Sequence, residues 1–218
     1  MNTDNSSIRL VDVWKIYKNG DEVTHSLADL NHTFQRGSMS IIYGPSGSGK
    51  STFVRIVGLL ENITMGQIFV NGTDTSQMSR QDKNSIIQRE IGFVFRNENL
   101  IPTLSAFENV NLPMNNSDSN LTQELLETVG FNDFKKYPND LSKEEEIRVS
   151  IARAMVNNHS ILITDEPTGD LHRSEAAEIM NLLQDLNKSL NLTIILTTNN
   201  KKLGGYGDFL ELEDGKLI

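Results

Sequence analysis

The sequence predicts an α/β domain built around a parallel core sheet. Short apolar segments, typical of buried strands, alternate with segments of helical periodicity across residues 143–197. A further apolar segment, residues 38–43, leads through a glycine-rich turn into a helical segment, residues 50–60. Strands that alternate with helices pair in parallel, because the connecting helix returns the chain to the same edge of the sheet. We therefore expect helices to cover a parallel sheet.

The first strands of the chain have a different pattern. Residues 8–14 alternate between apolar and polar side chains, a turn is predicted at residues 19–21, and a second strand reaches Phe34. Further strands are predicted at residues 67–70, before an Asn-Gly turn, and at residues 91–95. Since strands joined by a tight turn pair antiparallel, we expect an antiparallel layer beside the parallel sheet.

The middle of the chain is predicted to be a helical insertion, residues 102–141. It contains amphipathic segments at residues 105–112 and 121–129, separated by a polar loop at residues 115–120. The alternation then resumes with helices at 143–156 and 175–190, strands at 161–164 and 193–197, and a terminal strand pair around Asp214-Gly215.

Composition indicates one globular domain spanning residues 1–218, with 37% hydrophobic and 22% charged residues. The formal net charge of -9 argues against nucleic acid and anionic lipid as partners, because both attract basic clusters. The chain has no cysteine, and no apolar run approaches the roughly 18 residues of a membrane span. We therefore expect a cytoplasmic protein that binds no nucleic acid and does not insert directly into a membrane.

The glycine-rich turn, Gly44 to Ser51, has the pattern G-x-x-x-x-G-K-S between a strand and a helix. In such a loop the backbone N–H groups and the helix N-terminus surround phosphates, and the lysine adds a positive charge. Lys50 is expected to reach the β and γ phosphates of a nucleotide, and the Ser51 hydroxyl to ligate Mg²⁺. The alternative is a turn that merely starts a helix, which the matched register of glycines, lysine and serine disfavours.

Two acidic residues, Asp165 and Glu166, follow the buried strand at residues 161–164. Open α/β sheets bind ligands at the carboxyl ends of their strands, so both carboxylates are expected beside the phosphate loop. Asp165 is predicted to hold Mg²⁺ directly or through water, and Glu166 to accept a proton from an attacking water. Solvated turn residues are the alternative for such a pair in isolation.

These motifs, with Ser142, Arg148, residues 151–154 and residues 167–169, resemble the nucleotide-binding domain of ABC transporters over nearly the whole chain. Residues 91–95, 99–104 and 107–110 look like the subfamily that drives lipoprotein release and macrolide or peptide export. The resemblance implies a P-loop NTPase fold with a parallel core sheet, an antiparallel β subdomain and a helical subdomain at approximately residues 97–157. It also implies that ATP is bound between two such domains.

The resemblance assigns a set of residues to the nucleotide. Tyr17 corresponds to the aromatic residue that stacks on adenine, although packing is the alternative, and Ser142 belongs to the signature motif that contacts the partner's ATP. The expected contacts to ATP are Tyr17, Gly44, Pro45, Ser46, Gly47, Ser48, Gly49, Lys50, Ser51, Thr52 and Ser142; Ser51 and Asp165 are the expected metal ligands; and Glu166, Arg96 and Asn199 occupy the catalytic positions.

Two departures from the family pattern fall in the site built on the chain's own phosphate loop. Arg96 replaces a glutamine whose carbonyl oxygen serves Mg²⁺ and water. Arginine has five donors and no acceptor, so Arg96 cannot ligate the metal but can pair with a phosphate. Asn199 replaces a histidine and offers one neutral hydrogen bond in place of a cation.

Other departures fall where the partner's nucleotide is expected. The signature Leu-Ser-Gly-Gly-Glu is replaced by residues 141–145, in which Lys143 and Glu144 take the places of the glycines. Glu144 adds bulk and negative charge near a phosphate, although a solvated helix start is the alternative for this acidic segment. Ser142 and Glu145 still form a predicted helix capping box. His172 replaces an aspartate in the loop after the two acids.

The leading hypothesis is an ATP-binding subunit of an export complex, peripheral on the cytoplasmic face of the membrane. Its expected partners are a separate membrane-spanning permease and a second ATP-binding subunit, in a homodimer or a heterodimer. Residues 96–113 correspond to the permease-docking surface, although their apolar side chains equally suit a helical-subdomain core. The alternative is a nucleotide-responsive regulatory or structural subunit with negligible turnover, because the departures remove transition-state contacts while leaving the ATP-binding core.

Overall fold

The computed structural model describes residues 5–20, 22–114 and 118–218, which form two sheets flanked by helices. The strands are β1 (Ser6–Asn19), β2 (Glu22–Gln35), β3 (Met39–Tyr43), β4 (Met65–Val70), β5 (Thr73–Asp74), β6 (Ile91–Val94), β7 (Ile161–Asp165), β8 (Thr193–Thr198), β9 (Asp208–Glu213) and β10 (Lys216–Leu217). The α-helices are α1 (Lys50–Val57), α2 (Arg80–Glu90), α3 (Ala106–Asn111), α4 (Ser119–Thr128), α5 (Lys143–Met155) and α6 (Arg173–Leu190). Short 3-10 helices occupy Pro138–Asp140 and Lys201–Tyr206.

The predicted antiparallel layer is confirmed as a sheet of order β2-β1-β4-β5. Strand β1 extends well beyond the predicted residues 8–14. Its pairing with β2 includes register shifts, one of which lies beside Asp12, whose backbone is left-handed (φ 49°). Gly20 turns the chain between them with φ 60°; Asp21, the last residue of the predicted turn, lies outside the described residues.

The parallel core sheet is confirmed, with the order β10-β9-β3-β8-β7-β6. Strands β9, β3, β8, β7 and β6 all pair in parallel, and β10 returns antiparallel to β9 as the predicted terminal pair. The chain therefore places β3 next to β8 and β8 next to β7. This order brings the phosphate loop after β3 and the two acids at the end of β7 to the same edge of the sheet.

Two apolar cores lie on the two faces of the parallel sheet. One contains buried residues of α1 together with the antiparallel layer, including Phe34 and Phe53. The other contains buried residues of α3, α4, α5 and α6, including Leu126, Ile151 and Leu183. The sheet is thus apolar on both faces, which accounts for the continuous apolar strands in the sequence.

The structure differs from the sequence prediction in three helical segments. The helix predicted at residues 50–60 ends at Val57, where Gly58 caps it. The segment before β6 forms α2, which the sequence pattern did not predict, because only Ile86 and Ile87 among its eleven residues are apolar. Within the predicted polar loop at residues 115–120, Asp118 accepts hydrogen bonds from two backbone N–H groups and starts α4; residues 115–117 lie outside the described residues.

Candidate nucleotide-binding site

The phosphate loop joins the carboxyl end of β3 to α1. It is held to the neighbouring strand by the backbone N–H of Gly44, which donates to the Thr198 oxygen at 3.1 Å. Gly47 and Gly49 have φ values of 85° and 102°, a region that disfavours residues with a side chain. A Cβ atom at Gly49 would also lie 2.5 Å from the backbone oxygen of Ser26. The glycine at this position is therefore required for the loop to approach β2.

Lys50 is the first residue of α1, and its side chain is only 6% exposed. Its Nζ donates to the backbone oxygens of Gly44 at 2.7 Å and Pro45 at 3.0 Å. The same atom lies 3.2 Å from Oε1 of Glu166. The ammonium group is thus folded back over the loop that the sequence predicts to surround a phosphate, and it is held there by backbone carbonyl oxygens.

The predicted metal ligands lie together. The Ser51 hydroxyl donates to Oδ2 of Asp165 at 3.2 Å, and the Thr197 hydroxyl donates to Oδ1 of the same carboxylate at 2.6 Å. The described residues contain no cluster of three or more His, Cys, Asp or Glu side chains suited to a metal. One hydroxyl and one carboxylate nevertheless suit Mg²⁺, which is commonly bound through one or two carboxylates together with water and phosphate oxygens. The donor set therefore fits a metal that arrives with a nucleotide.

Glu166 is held in a constrained position immediately after β7. Its backbone is left-handed, with φ 49°, and its N–H donates to the Thr197 oxygen at 3.0 Å. Its side chain is 10% exposed and lies between two cations, Lys50 and Arg96. The Nη1 atom of Arg96 is 3.2 Å from Oε2 of Glu166. This second contact is an ion pair without hydrogen-bond alignment, since Oε2 accepts no hydrogen bond from the described residues.

Arg96 lies two residues beyond the end of β6, and its side chain is 53% exposed. Besides Glu166, its guanidinium approaches Oδ1 of Asp170 at 3.7 Å. The sequence predicts a phosphate as its partner; here its partners are two carboxylates. A guanidinium has five N–H donors, so these contacts leave others free for a further anion.

These residues line one cavity of about 330 Å³ at the carboxyl edge of the parallel sheet. The lining residues are Ser26, Ser46, Gly47, Gly49, Lys50, Ser51, Thr52, Arg96, Asp165, Glu166 and Asn199. All three residues predicted at the catalytic positions and both predicted metal ligands are therefore brought together. Ser26 and Thr197 were missed by sequence reasoning: Ser26 belongs to no motif, and Thr197 carried only the signal of a hydroxyl near the end of a buried strand.

Five of the eleven residues assigned to ATP do not line this cavity: Gly44, Pro45 and Ser48, which belong to the phosphate loop, and Tyr17 and Ser142, which lie outside it. Tyr17, near the end of β1, donates its hydroxyl hydrogen bond to Oε2 of Glu61 at 3.0 Å, and Lys15 lies 4.8 Å from the centre of its ring. Ser142 caps α5, as predicted, and forms the capping box with Glu145 through bonds of 3.2 and 2.8 Å. The resemblance places the Ser142 contact in a second protomer, so its distance from this cavity is expected.

The two charged residues that replace the signature glycines are both paired within the chain. Lys143 contacts Glu146 at 2.5 Å and approaches Glu98 at 3.9 Å. Glu144 contacts Arg148 at 2.6 Å, one turn further along α5. Glu144 is thus not simply part of a solvated helix start, because a partly buried arginine offsets its charge.

Comparison with known proteins agrees with a nucleotide-binding α/β domain. Residues 27–169 match the ABC transporter family model. The chain is 39% identical to the uncharacterised ABC transporter ATP-binding protein MJ1508 of Methanocaldococcus jannaschii, over 97% of each chain. The chain therefore belongs to the ABC transporter family, as an ATP-binding domain.

Relatives of known direction of transport include both exporters and importers. The macrolide export ATP-binding/permease protein MacB of Shewanella is 35% identical over 94% of this chain and 33% of its own length. The methionine import ATP-binding protein MetN of Photobacterium profundum is 36% identical over 94% of this chain and 62% of its own. Similarity alone therefore leaves the direction of transport open.

The fold matches the solved dimeric structure of the MJ0796 cassette, with a TM-score of 0.89, 35% identity and 96% coverage of both chains. A second dimeric structure of MJ0796, bound to ADP and Pi, aligns with the same TM-score at 33% identity. None of the described helices in the present chain is long and apolar enough to cross a membrane.

Proposed function

We propose that this chain binds ATP with Mg²⁺ in the cavity between the phosphate loop and the ends of β7 and β8. The observation that carries the proposal is the nearly buried Lys50, whose ammonium group lies over the loop beside Glu166. The α1 N-terminus and the loop amides supply donors for phosphate oxygens, and Lys50 supplies a full positive charge. Ser46 and Ser48 of the loop and Thr52 of α1 are proposed as further contacts to ATP, and Tyr17 is proposed to stack on adenine.

Ser51 and Asp165 would hold Mg²⁺. When bound, the ion neutralises charge on the phosphates as they react. The Thr197 hydroxyl orients the Asp165 carboxylate by donating to Oδ1. The other carboxylate oxygen, Oδ2, then faces the Ser51 hydroxyl, where the metal would be held. Glu166 is the proposed base that takes a proton from the attacking water, and Asn199 offers the γ-phosphate one neutral hydrogen bond.

The test is ATP binding by Lys50→Ala, measured by calorimetry beside Lys188→Ala. Lys188 is an exposed lysine at the end of α6, so its replacement makes the same change in charge far from the cavity. We expect Lys50→Ala to abolish binding and Lys188→Ala to bind as the wild type. Equal binding by both variants would reject the site.

At the level of the complex, we propose an export subunit that works with a separate permease on the cytoplasmic face. The export-like residues 91–110 favour this direction over import. Within residues 96–113, Leu100 and Phe107 pack against the helical core, whereas Ile101 remains 37% exposed. Ile101 is thus the better candidate for permease contact, in a helical subdomain at residues 97–157 of one domain spanning residues 1–218.

A second candidate function is a regulatory subunit that binds ATP with negligible turnover. The ion pairs of Glu166 with Lys50 and Arg96 favour it, because they engage the carboxylate that would otherwise accept the proton of an attacking water. Steady-state phosphate release, measured beside ATP affinity in the assembled complex, separates the two. Tight binding without release would establish the regulatory role.

A further inference from the structure

The guanidinium of Arg96 places a fixed positive charge in the phosphate-loop cavity. Arg96 lines the phosphate-loop cavity together with Ser51, Asp165 and Glu166. It also lines an adjoining cavity of about 350 Å³ that Ser51 and Asp165 share. The guanidinium therefore lies beside the two residues proposed to hold Mg²⁺, and it carries a charge that no change in metal concentration can remove.

The contacts of Arg96 leave it able to receive a phosphate. One terminal nitrogen faces Glu166 at 3.2 Å and the other faces Asp170 at 3.7 Å, and neither contact exhausts the five N–H donors of the group. Because the side chain is half exposed, it can move toward an anion without the cost of leaving a buried position. Arginine also pairs with phosphate in a bidentate manner, which gives it a stronger hold than a neutral amide would have.

The positive charge of Arg96 also disfavours the binding of a divalent cation beside it. Arg96 presents no acceptor to Mg²⁺, and a positive charge near the Ser51–Asp165 pair repels a second cation. The two carboxylates that contact Arg96 offset this charge only in part, because Glu166 is also paired with Lys50 and Asp170 is exposed. The metal site thus has fewer ligands and more positive charge than a site built with glutamine at residue 96.

We infer that Arg96 acts as a built-in counter-cation for the nucleotide phosphates, so that this chain binds ATP nearly as tightly without Mg²⁺ as with it. The inference rests on the proposed ATP binding. It deepens that proposal by assigning to Arg96 a share of the charge neutralisation that a divalent ion would otherwise supply alone.

The test compares ATP affinity in excess MgCl₂ with ATP affinity in EDTA, for the whole chain at low temperature. For the wild type the two dissociation constants should agree within about threefold. For Arg96→Gln we expect binding in EDTA to weaken about tenfold, the difference between a charged and a neutral hydrogen-bond donor, while binding in MgCl₂ is retained. Arg96→Lys, which keeps the charge, should restore most of the binding in EDTA.

Arg55→Gln is the matched control. The Arg55 side chain is 54% exposed, lies on α1 and lines only the adjoining cavity, so its replacement removes the same charge nearby without entering the phosphate-loop cavity. We expect its two dissociation constants to match those of the wild type. The inference is overturned if Arg96→Gln binds ATP in EDTA as the wild type does, if Arg55→Gln weakens binding equally, or if the wild type itself needs Mg²⁺.

A failure of the proposed ATP binding itself would give a different result. A wild-type chain that binds no ATP in either buffer rejects the nucleotide site itself. Circular dichroism and thermal unfolding of each variant show that a loss of binding reflects the cavity rather than the fold. Arg96 is not part of either apolar core, so its replacement is expected to leave the fold intact.

Discussion

At the residue scale, Glu166 is held by two cations that a bound nucleotide would also attract. Replacing its carboxylate by an amide in Glu166→Gln frees Lys50 and Arg96 from their anionic partner. We therefore expect ATP affinity to stay the same or increase. Phosphate release should fall about 10²–10⁴-fold, the contribution typical of a positioned general base. Affinity by calorimetry and release by a steady-state assay provide the two measurements.

Glu178→Gln is the control for this change. Glu178 is an exposed residue of α6 that pairs with Arg148, away from the cavity. Its replacement should leave both affinity and release unchanged. If Glu166→Gln also leaves release unchanged, Glu166 is not the base, and the remaining acid in the cavity, Asp165, becomes the candidate.

Gly47 and Gly49 allow backbone strain to be separated from steric contact. Both have positive φ, so alanine at either costs about 1–2 kcal/mol from strain alone. Only at Gly49 does the new Cβ meet another atom, the Ser26 oxygen at 2.5 Å; at Gly47 nothing lies within 4 Å. We expect Gly49→Ala to lower the free energy of unfolding in urea clearly more than Gly47→Ala. Equal losses would show that β2 moves away from the loop at little cost.

At the element scale, the N-terminus of α5 depends on a charged capping box. Burial acts to raise the pKa of Glu145, but hydrogen bonds from Lys136 and from the Ser142 backbone outweigh it and lower that pKa below its ordinary value of 4.5. A group whose pKa is lower in the folded state stabilises the fold above its unfolded pKa. That contribution is lost as the pH falls through the folded value.

Glu145→Gln tests the charge of the box, because glutamine preserves its hydrogen-bonding shape. At pH 7 we expect the variant to be less stable by up to about 1 kcal/mol. The difference should shrink as the pH falls below 4.5 and through the lowered pKa of the folded carboxylate, which then becomes protonated. Urea unfolding at several pH values measures it, with the exposed Glu124→Gln as control. A difference that stays constant with pH would show that the carboxylate charge contributes nothing.

The elements that sequence predicted well are those with a strong local signal. Helix α5 begins one residue after Ser142 because the capping box is encoded within four residues, and the phosphate loop is encoded by glycines at the positions that require positive φ. Helix α2 has no such apolar signal. It buries little besides Ile86 and the stem of Lys83, whose ammonium group donates to the Asn62 side chain at 2.8 Å. Its stability comes from tertiary contacts that periodicity does not record.

At the scale of the whole molecule, the order of strands decides which residues meet. The sequence predicts that Lys50, Asp165 and Asn199 each follow a strand, but it does not predict that β8 lies between β3 and β7. That order places Thr197 against Asp165 and brings Asn199 into the cavity. Arg96 also shows what sequence can and cannot predict. The residue type alone excludes metal ligation. Its pairing with Glu166 and Asp170 could not be predicted, because these residues lie on a loop that is distant in sequence.

The pairing of Lys143 and Glu144 bears on self-association. In a dimer of the family's kind, the start of α5 would meet the ATP of the second protomer, and glycines there allow a close backbone approach. Here Lys143 and Glu144 add side chains that are already engaged with Glu146 and Arg148. We therefore expect the bulk of these two side chains and the carboxylate of Glu144 to oppose ATP-dependent closure of a homodimer.

Restoring both glycines in Lys143→Gly/Glu144→Gly should promote ATP-dependent dimerisation, measured by analytical ultracentrifugation with and without ATP. We expect at least a tenfold lower dimer dissociation constant in ATP, since each tenfold step needs only about 1.4 kcal/mol. The matched control, Lys143→Ala/Glu144→Ala, removes the same two charges but keeps Cβ atoms, so it should recover only the electrostatic part. If neither double variant associates more strongly than the wild type, the start of α5 does not limit self-association, and Lys143 and Glu144 give no reason to disfavour a homodimer.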